Sequence, residues 1–297
     1  MENESLSDVI KKYKENKMSE EKTQTVTTNT IPPKASSYNK EDFENIMSKE
    51  TDPDLMTSYE IVKLPSNGIF YPNKISEVAV EYMTSKDEDL ITTPSLIESG
   101  ELMNVLLKRK VKTPGINVEE LLQGDRDAIL LHLRTSSYGS EYSVQVTDPR
   151  NGSVFTGKVD LLKLKYKEIT ETPDENGFFK VEIPMRKKIV TFRLLNAKEE
   201  TLLYKKAEQI KEAYGDEFSQ YSTLKLKSHI VSIDGNTDRG YIDKFVDAMP
   251  ALDAFTIRKK ILEVSPGIDM KYEFTTKDGY KFNAYLTIGM DFFFPSI

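Results

Sequence analysis

The sequence predicts an α+β protein built from helix-plus-β-hairpin modules, preceded by a disordered N-terminal arm. Three observations carry this expectation. Residues 1–55 show almost no apolar periodicity, whereas beyond residue 58 stretches of period two alternate with stretches of helical period. Two of the helical stretches run directly into a hairpin pattern, DAILLHLRTSSYGSEYSVQVTDPRNGSVFTGKVDL and DAFTIRKKILEVSPGIDMKYEFTTKDGYKFNAYLTI. Each reads as a helix containing Asp-Ala, a glycine stop, a strand, a tight turn and a returning strand, so the chain uses one unit twice. The expected organisation is an arm over 1–55, a β/helix/hairpin module over 56–170 and a helix-rich module over 171–297 that ends in a hairpin.

The arm is rich in Lys, Glu, Ser, Thr and Asn and is interrupted by TIPPK at 30–34. Such a segment buries too little apolar surface to offset its ordering entropy. Two short helices are expected within it, SLSDVIKKYKENK at 5–17 and EDFENIMSK at 41–49, the second with Phe43, Ile46 and Met47 on one face. Two small apolar faces on a flexible arm suggest docking onto a partner.

From Ser58 onward, YEIVKLPSNGIFYP reads as a strand, a turn at PSNG and a second extended piece stopped by Pro72. ISEVAVEYMT alternates Val78, Val80 and Tyr82 against polar neighbours, as a half-buried strand does, and SKDEDL follows as a turn. Apolar residues between Ser95 and Val111 recur at helical spacing across Gly100. A second helix is expected from Asn117, its N-cap, to Thr135, with Gly139 supplying the left-handed stop. The first hairpin comes next, then LLKLKYKEI, a turn at PDENG and a strand pair within FFKVEIPMRKKIVTFRLL. A long helix over 197–214, a helix leading into a short SIDG strand, two helices separated at Pro250 and a hairpin turning at KDG complete the chain.

Composition narrows the function. The chain has no cysteine, which removes disulfides, thiolate metal sites and cysteine nucleophiles, and its two histidines, His132 and His229, lie far apart. No metal and no cofactor is expected. A net charge of −7 with both signs interspersed argues against nucleic acid as a partner. The basic run KRKVK at 108–112 reads as a solvated helix end. No run approaches the roughly 20 apolar residues of a membrane span, and the polar N-terminus lacks a secretory core, so no membrane association is expected. Phosphate-binding loops, dinucleotide fingerprints and nucleophile elbows are missing, and no catalytic residue is assigned. The carboxylate groups at 86–89 and 125–127 read as solvated turns and helix starts. A carboxylate-dependent hydrolase is the enzymatic alternative, and it requires two acidic side chains converging in a deep pocket.

Interaction residues are expected in three places: the loop Leu64, Pro65, Gly68, Phe70, Tyr71 and Pro72; Arg134 and Tyr138 beside the first hairpin; and the terminal Phe292, Phe293 and Phe294. Aromatic residues and arginine are favoured at interfaces. The three phenylalanines cannot all face one side of a strand, because successive side chains alternate.

Taken in order, LPSNGIFYP, YMTSKDEDLIT, GDRDAILLHLRTSSYGSEYSVQVTDP and the closing SIDG and MDFFFP resemble the baseplate hub assembly proteins of T-even-type contractile-tailed bacteriophages, over residues 58–297. The resemblance implies a non-catalytic tail morphogenesis protein that binds hub or tail proteins to promote baseplate hub assembly. It would act in the host cell cytoplasm, or be retained in the virion baseplate as a permanent structural subunit. Members of that family often carry Cys-Pro-x-Cys-Gly turns in both hairpins, resembling zinc ribbon halves. Here the corresponding turns are Asp148-Pro149-Arg150-Asn151-Gly152 and Thr275-Thr276-Lys277-Asp278-Gly279, each keeping the glycine and lacking both sulfurs. Both knuckles are therefore expected to be metal-free hairpins held by turn chemistry and packing.

Overall fold

The computed structural model describes residues 58–215, 220–286, 288 and 292. The helices expected at 5–17 and 41–49 lie outside the described residues. Within them the architecture is α+β, with helices alternating with small antiparallel sheets.

Strand β1 (Tyr59–Lys63) pairs antiparallel with β2 (Glu77–Glu81), Val62 opposite Val78. The intervening residues form successive turns rather than a second extended piece. Gly68 is the reason the loop closes so tightly. Its φ is +71°, and a Cβ there would lie 2.4 Å from the Lys74 carbonyl oxygen.

The expected turn SKDEDL is instead helix α1 (Ser85–Ile91), started by a capping box between Thr84 and Asp87. The single helix expected over 95–111 is two, α2 (Pro94–Glu98) and α3 (Leu102–Lys110), because Gly100 between them takes φ +69°. The next helix, α4 (Gln123–Tyr138), begins six residues later than its expected start at Asn117. Asn117 caps a short turn instead, accepting from Glu119 N at 3.1 Å. The physical reason lies far along the chain. Ala197 N donates to Leu121 O at 3.0 Å and Lys198 N to Glu119 O at 2.9 Å. With those carbonyls committed to the start of another helix, residues 119–122 cannot use them within α4.

After α4, β3 (Glu141–Thr147) and β4 (Val154–Asp160) form the first hairpin. Strands β5 (Phe178–Glu182) and β6 (Ile189–Arg193) pair, and β7 (Ile230–Ile233) joins them on the other edge of β6. Between β6 and β7 come α5 (Ala197–Tyr214), with an Asn196–Glu199 capping box, and α6 (Tyr221–His229). Helices α7 (Arg239–Asp247) and α8 (Ala251–Val264) separate at Pro250, as expected, and β8 (Lys271–Thr275) with β9 (Lys281–Tyr285) make the closing hairpin.

The main core forms around α4, whose Ile129 and Leu133 are fully buried against β1, β2, α3 and the first hairpin. Phe274 of the closing hairpin is buried in the same cluster. The two hairpins pack on each other: Phe155 meets Phe282 edge-on at 6.3 Å, and Phe274 sits on Gly157. A second cluster gathers Ile183, Val190, Ile230, Ile242 and Ile257 between the three-stranded sheet and α6–α8.

The two copies of the unit correspond by helix start rather than by the Asp-Ala pair. Asp125 and Asp253 each occupy the third position of their helix, each is fully buried, and each accepts two hydrogen bonds from a distant loop. Asp253 takes Met185 N at 2.7 Å and Arg186 N at 3.2 Å.

Gly124 in the first turn of α4 lies against the segment that links α8 to β8. A Cβ at this position would fall 2.0 Å from the Pro266 carbonyl oxygen. Alanine is the better helix former by about 1 kcal/mol, but a backbone–backbone clash outweighs that. Gly124→Ala is expected to destabilise the fold by about 1–3 kcal/mol, as overpacking does. Thermal melting checks this, and a raised Tm would contradict the close approach.

Candidate functional site

The loop Leu64–Pro72 is tied to the start of α4 through a single carboxylate. Ser66 N donates to Asp125 Oδ1 at 2.9 Å, the Tyr71 hydroxyl donates to Asp125 Oδ2, and Leu122 N donates to the Tyr71 oxygen at 2.9 Å. Burial pushes the Asp125 carboxyl up, and burial together with the adjacent Asp125 pushes the Tyr71 hydroxyl far above its ordinary range. Leu64, Pro65 and Gly68 are buried. Phe70 and Tyr71 are half-buried, with the Phe70 ring 6.1 Å from that of Phe179, while Pro72 is exposed.

Arg134 and Phe292 are brought together. Arg134 is buried, its Nε donating to Phe292 O at 2.7 Å and its Nη1 to Gly139 O at 3.1 Å. It therefore caps its own helix and holds Phe292 against it. Phe292 is buried, its ring edge-on to Tyr142 at 5.3 Å. Tyr138 is half-buried below the Arg134 guanidinium, its hydroxyl donating to Glu88 Oε1 at 3.1 Å. Burial and that carboxylate push Tyr138 up to about 12. Phe293 and Phe294 lie outside the described residues.

Two charged clusters differ from their expected solvated state. Lys110, in the basic run KRKVK, is 2% exposed. Its Nζ contacts Asp87 Oδ2 at 2.6 Å and Glu81 Oε2 at 3.1 Å and donates to Tyr82 O at 2.7 Å. Asp87 is fully buried and also accepts from Arg109 Nε at 3.0 Å. Burial raises the Asp87 carboxyl, but the hydrogen bonds from Lys110 and Thr84 outweigh it and hold the group below its ordinary range. Asp125 and Arg126 are likewise buried. Burial lifts Asp127 to about 6, yet Asp125 and Asp127 stand two residues apart on a helix, so the two carboxyls do not face each other. Alternating charge in sequence signals none of this; the signal that could have been read is the apolar spacing around Lys110 and Asp125.

At the hairpin tips a guanidinium joins the two turns. Arg150 reaches Asp148 Oδ2 at 2.7 Å and Asp278 Oδ2 at 2.9 Å, and it lies 4.0 Å above the Tyr280 ring. Asp148 also accepts from Arg150 N at 2.9 Å, which fixes its own turn, and Gly152 and Gly279 take φ of +72° and +86°. Both carboxyls are held below their ordinary range by Arg150, which they in turn raise. These residues do not fit zinc. A cationic side chain stands between the carboxylates, zinc favours sulfur and nitrogen donors, and no group of three or more metal-ligating side chains forms among the described residues.

The described residues thus form packed hairpins braced by ion pairs, with interior polar groups committed to holding loops. The chain belongs to the family described as T4 bacteriophage base plate protein, whose model matches residues 56–294. No curated protein and no solved structure matches it. No helix among the described residues is long and apolar enough to cross a membrane.

Arg150→Ala is expected to release the tips from each other. Amide exchange across residues 276–280 should quicken, while α4 keeps its protection. Because both carboxyls are lowered by the pairing, its contribution is complete above the ordinary carboxylate range and is lost as pH falls through the lowered values. Acid titration of tip exchange in the wild type, compared with the variant, checks the direction. Elemental analysis of the purified protein is expected to find no stoichiometric zinc, and a chelator should leave Tm unchanged.

Proposed function

We propose that the protein is a non-catalytic morphogenesis factor that binds hub or tail proteins and promotes assembly of the baseplate hub in the host cytoplasm. The family match across residues 56–294 carries this reading. The disposition of the polar interior supports it, since Asp125, Asp253, Asp87 and Arg134 are each engaged in holding one segment against another. Apolar side chains such as Met185 and Tyr285 are more than half exposed and offer contact surface. Within the loop and helix residues expected to bind, Phe70, Tyr71, Pro72 and Tyr138 retain exposed surface for a partner, with Phe293 and Phe294 as further contacts. Nucleic acid and membrane play no part in this reading.

Affinity isolation of the tagged chain from infected cells is expected to recover hub or tail proteins, and recovery of none would sink the proposal. Mass spectrometry of purified particles distinguishes an assembly factor, which is absent, from a permanent subunit, which is present at fixed copy number.

A further inference from the structure

An apolar groove of about 390 Å³ lies where α6, α8, the residues after β6 and the start of α4 converge. Leu195 and Leu226 form its floor, and Ile261 and Leu262 of α8 form one wall. The polar groups near its floor are committed: His229 Nδ1 lies 2.7 Å from Arg193 O, and Lys225 Nζ is 2.8 Å from Glu200 Oε1. Arg258 on the rim is exposed and has no hydrogen-bond or ion-pair partner among the described residues. The apolar surface continues along α8, where Leu252, Phe255 and Leu262 recur at helical spacing and are each more than half exposed. The groove thus asks for a short amphipathic helix with an acidic residue near its apolar stripe.

This chain carries such a segment. In EDFENIMSKE, Phe43, Ile46 and Met47 stand at i, i+3 and i+4, and Glu50 at i+7 extends the same stripe. The described fold starts at Ser58, and nearby Glu60 Oε2 lies 3.5 Å from His132 Nε2 on α4. Nine residues along α4 from His132 to Gln123, on the groove's edge, amount to about 14 Å at the helical rise. The fourteen residues from Ile46 to Glu60 can span up to about 45 Å when extended, so the connection is ample.

We propose that residues 41–50 of the same chain seat in this groove as an amphipathic helix, with Phe43, Ile46 and Met47 against Ile261 and Leu262 and with Glu50 paired to Arg258. The inference rests on the groove and the segment, not on the assembly role.

The absence of native cysteine makes the test direct. The full chain carrying Ile46→Cys and Leu262→Cys is treated with a short bismaleimide, beside a control carrying Ile46→Cys and Tyr285→Cys, both partner sites being well exposed. A flexible tether alone gives either pair an effective concentration on the order of mM, so docking is read as a rate advantage of about tenfold for the first pair. Adding Arg258→Glu should abolish that advantage, and adding Glu50→Arg to that variant should restore it. Equal rates for the two pairs would overturn the proposal, as would a crosslink that joins two chains.

Discussion

The burial of Asp125 is the constraint on which the rest of the fold depends. A carboxylate removed from water must find donors, and this one finds them in Ser66 N and the Tyr71 hydroxyl, more than fifty residues upstream. Tyr71 in turn receives Leu122 N, and the adjacent Leu121 carbonyl receives Ala197 N. One side chain thereby fixes the 64–72 loop, the first turn of α4 and, through the backbone beside it, the start of α5. Asp253 repeats the device at the start of α8, holding the β5–β6 turn. Two helices of similar local sequence are anchored in the same way to different loops, which is how one unit serves twice in a single chain.

The Lys110–Asp87–Glu81 cluster plays a comparable part for α1 and α3. Removing one partner from a buried pair costs roughly 3–5 kcal/mol, whereas the intact pair adds little net stability. Its consequence is therefore positional: α1 and the β2 edge are locked to the end of α3 in one arrangement. Arg134 does the same between α4 and Phe292 through the Phe292 carbonyl. Interior contacts that are costly to break singly hold the elements they join in one arrangement.

The hairpin tips show the same logic at the surface. Where sulfur ligands would suit a metal, Arg150 bridges Asp148 and Asp278 and stacks on Tyr280. A guanidinium is planar and always charged, so it can satisfy two carboxylates while resting on an aromatic face. Its reach is short, and it couples the tips only because Phe155, Phe282 and Phe274 already pack the two hairpins together beneath it.

Local pattern alone determined the α+β class, the 197–214 helix, the pair of helices split at Pro250 and both hairpins with their glycine turns. Each of these is set by periodicity or by a glycine or proline whose backbone preference acts within a few residues. Tertiary contact decided the rest. Residues 119–122 stay outside α4 where the start of α5 takes the Glu119 and Leu121 carbonyls, SKDEDLI becomes a helix whose Asp87 meets Lys110, and a basic run that reads as solvated buries its middle lysine, Lys110. The loop residues Leu64, Pro65 and Gly68 and the pair Arg134–Phe292 follow the same division: their chemistry is visible in sequence, but their partners lie up to 158 residues away. Hydrogen bonds and ion pairs over such separations leave no periodic trace, since they depend on which surfaces the folded chain brings within about 3 Å.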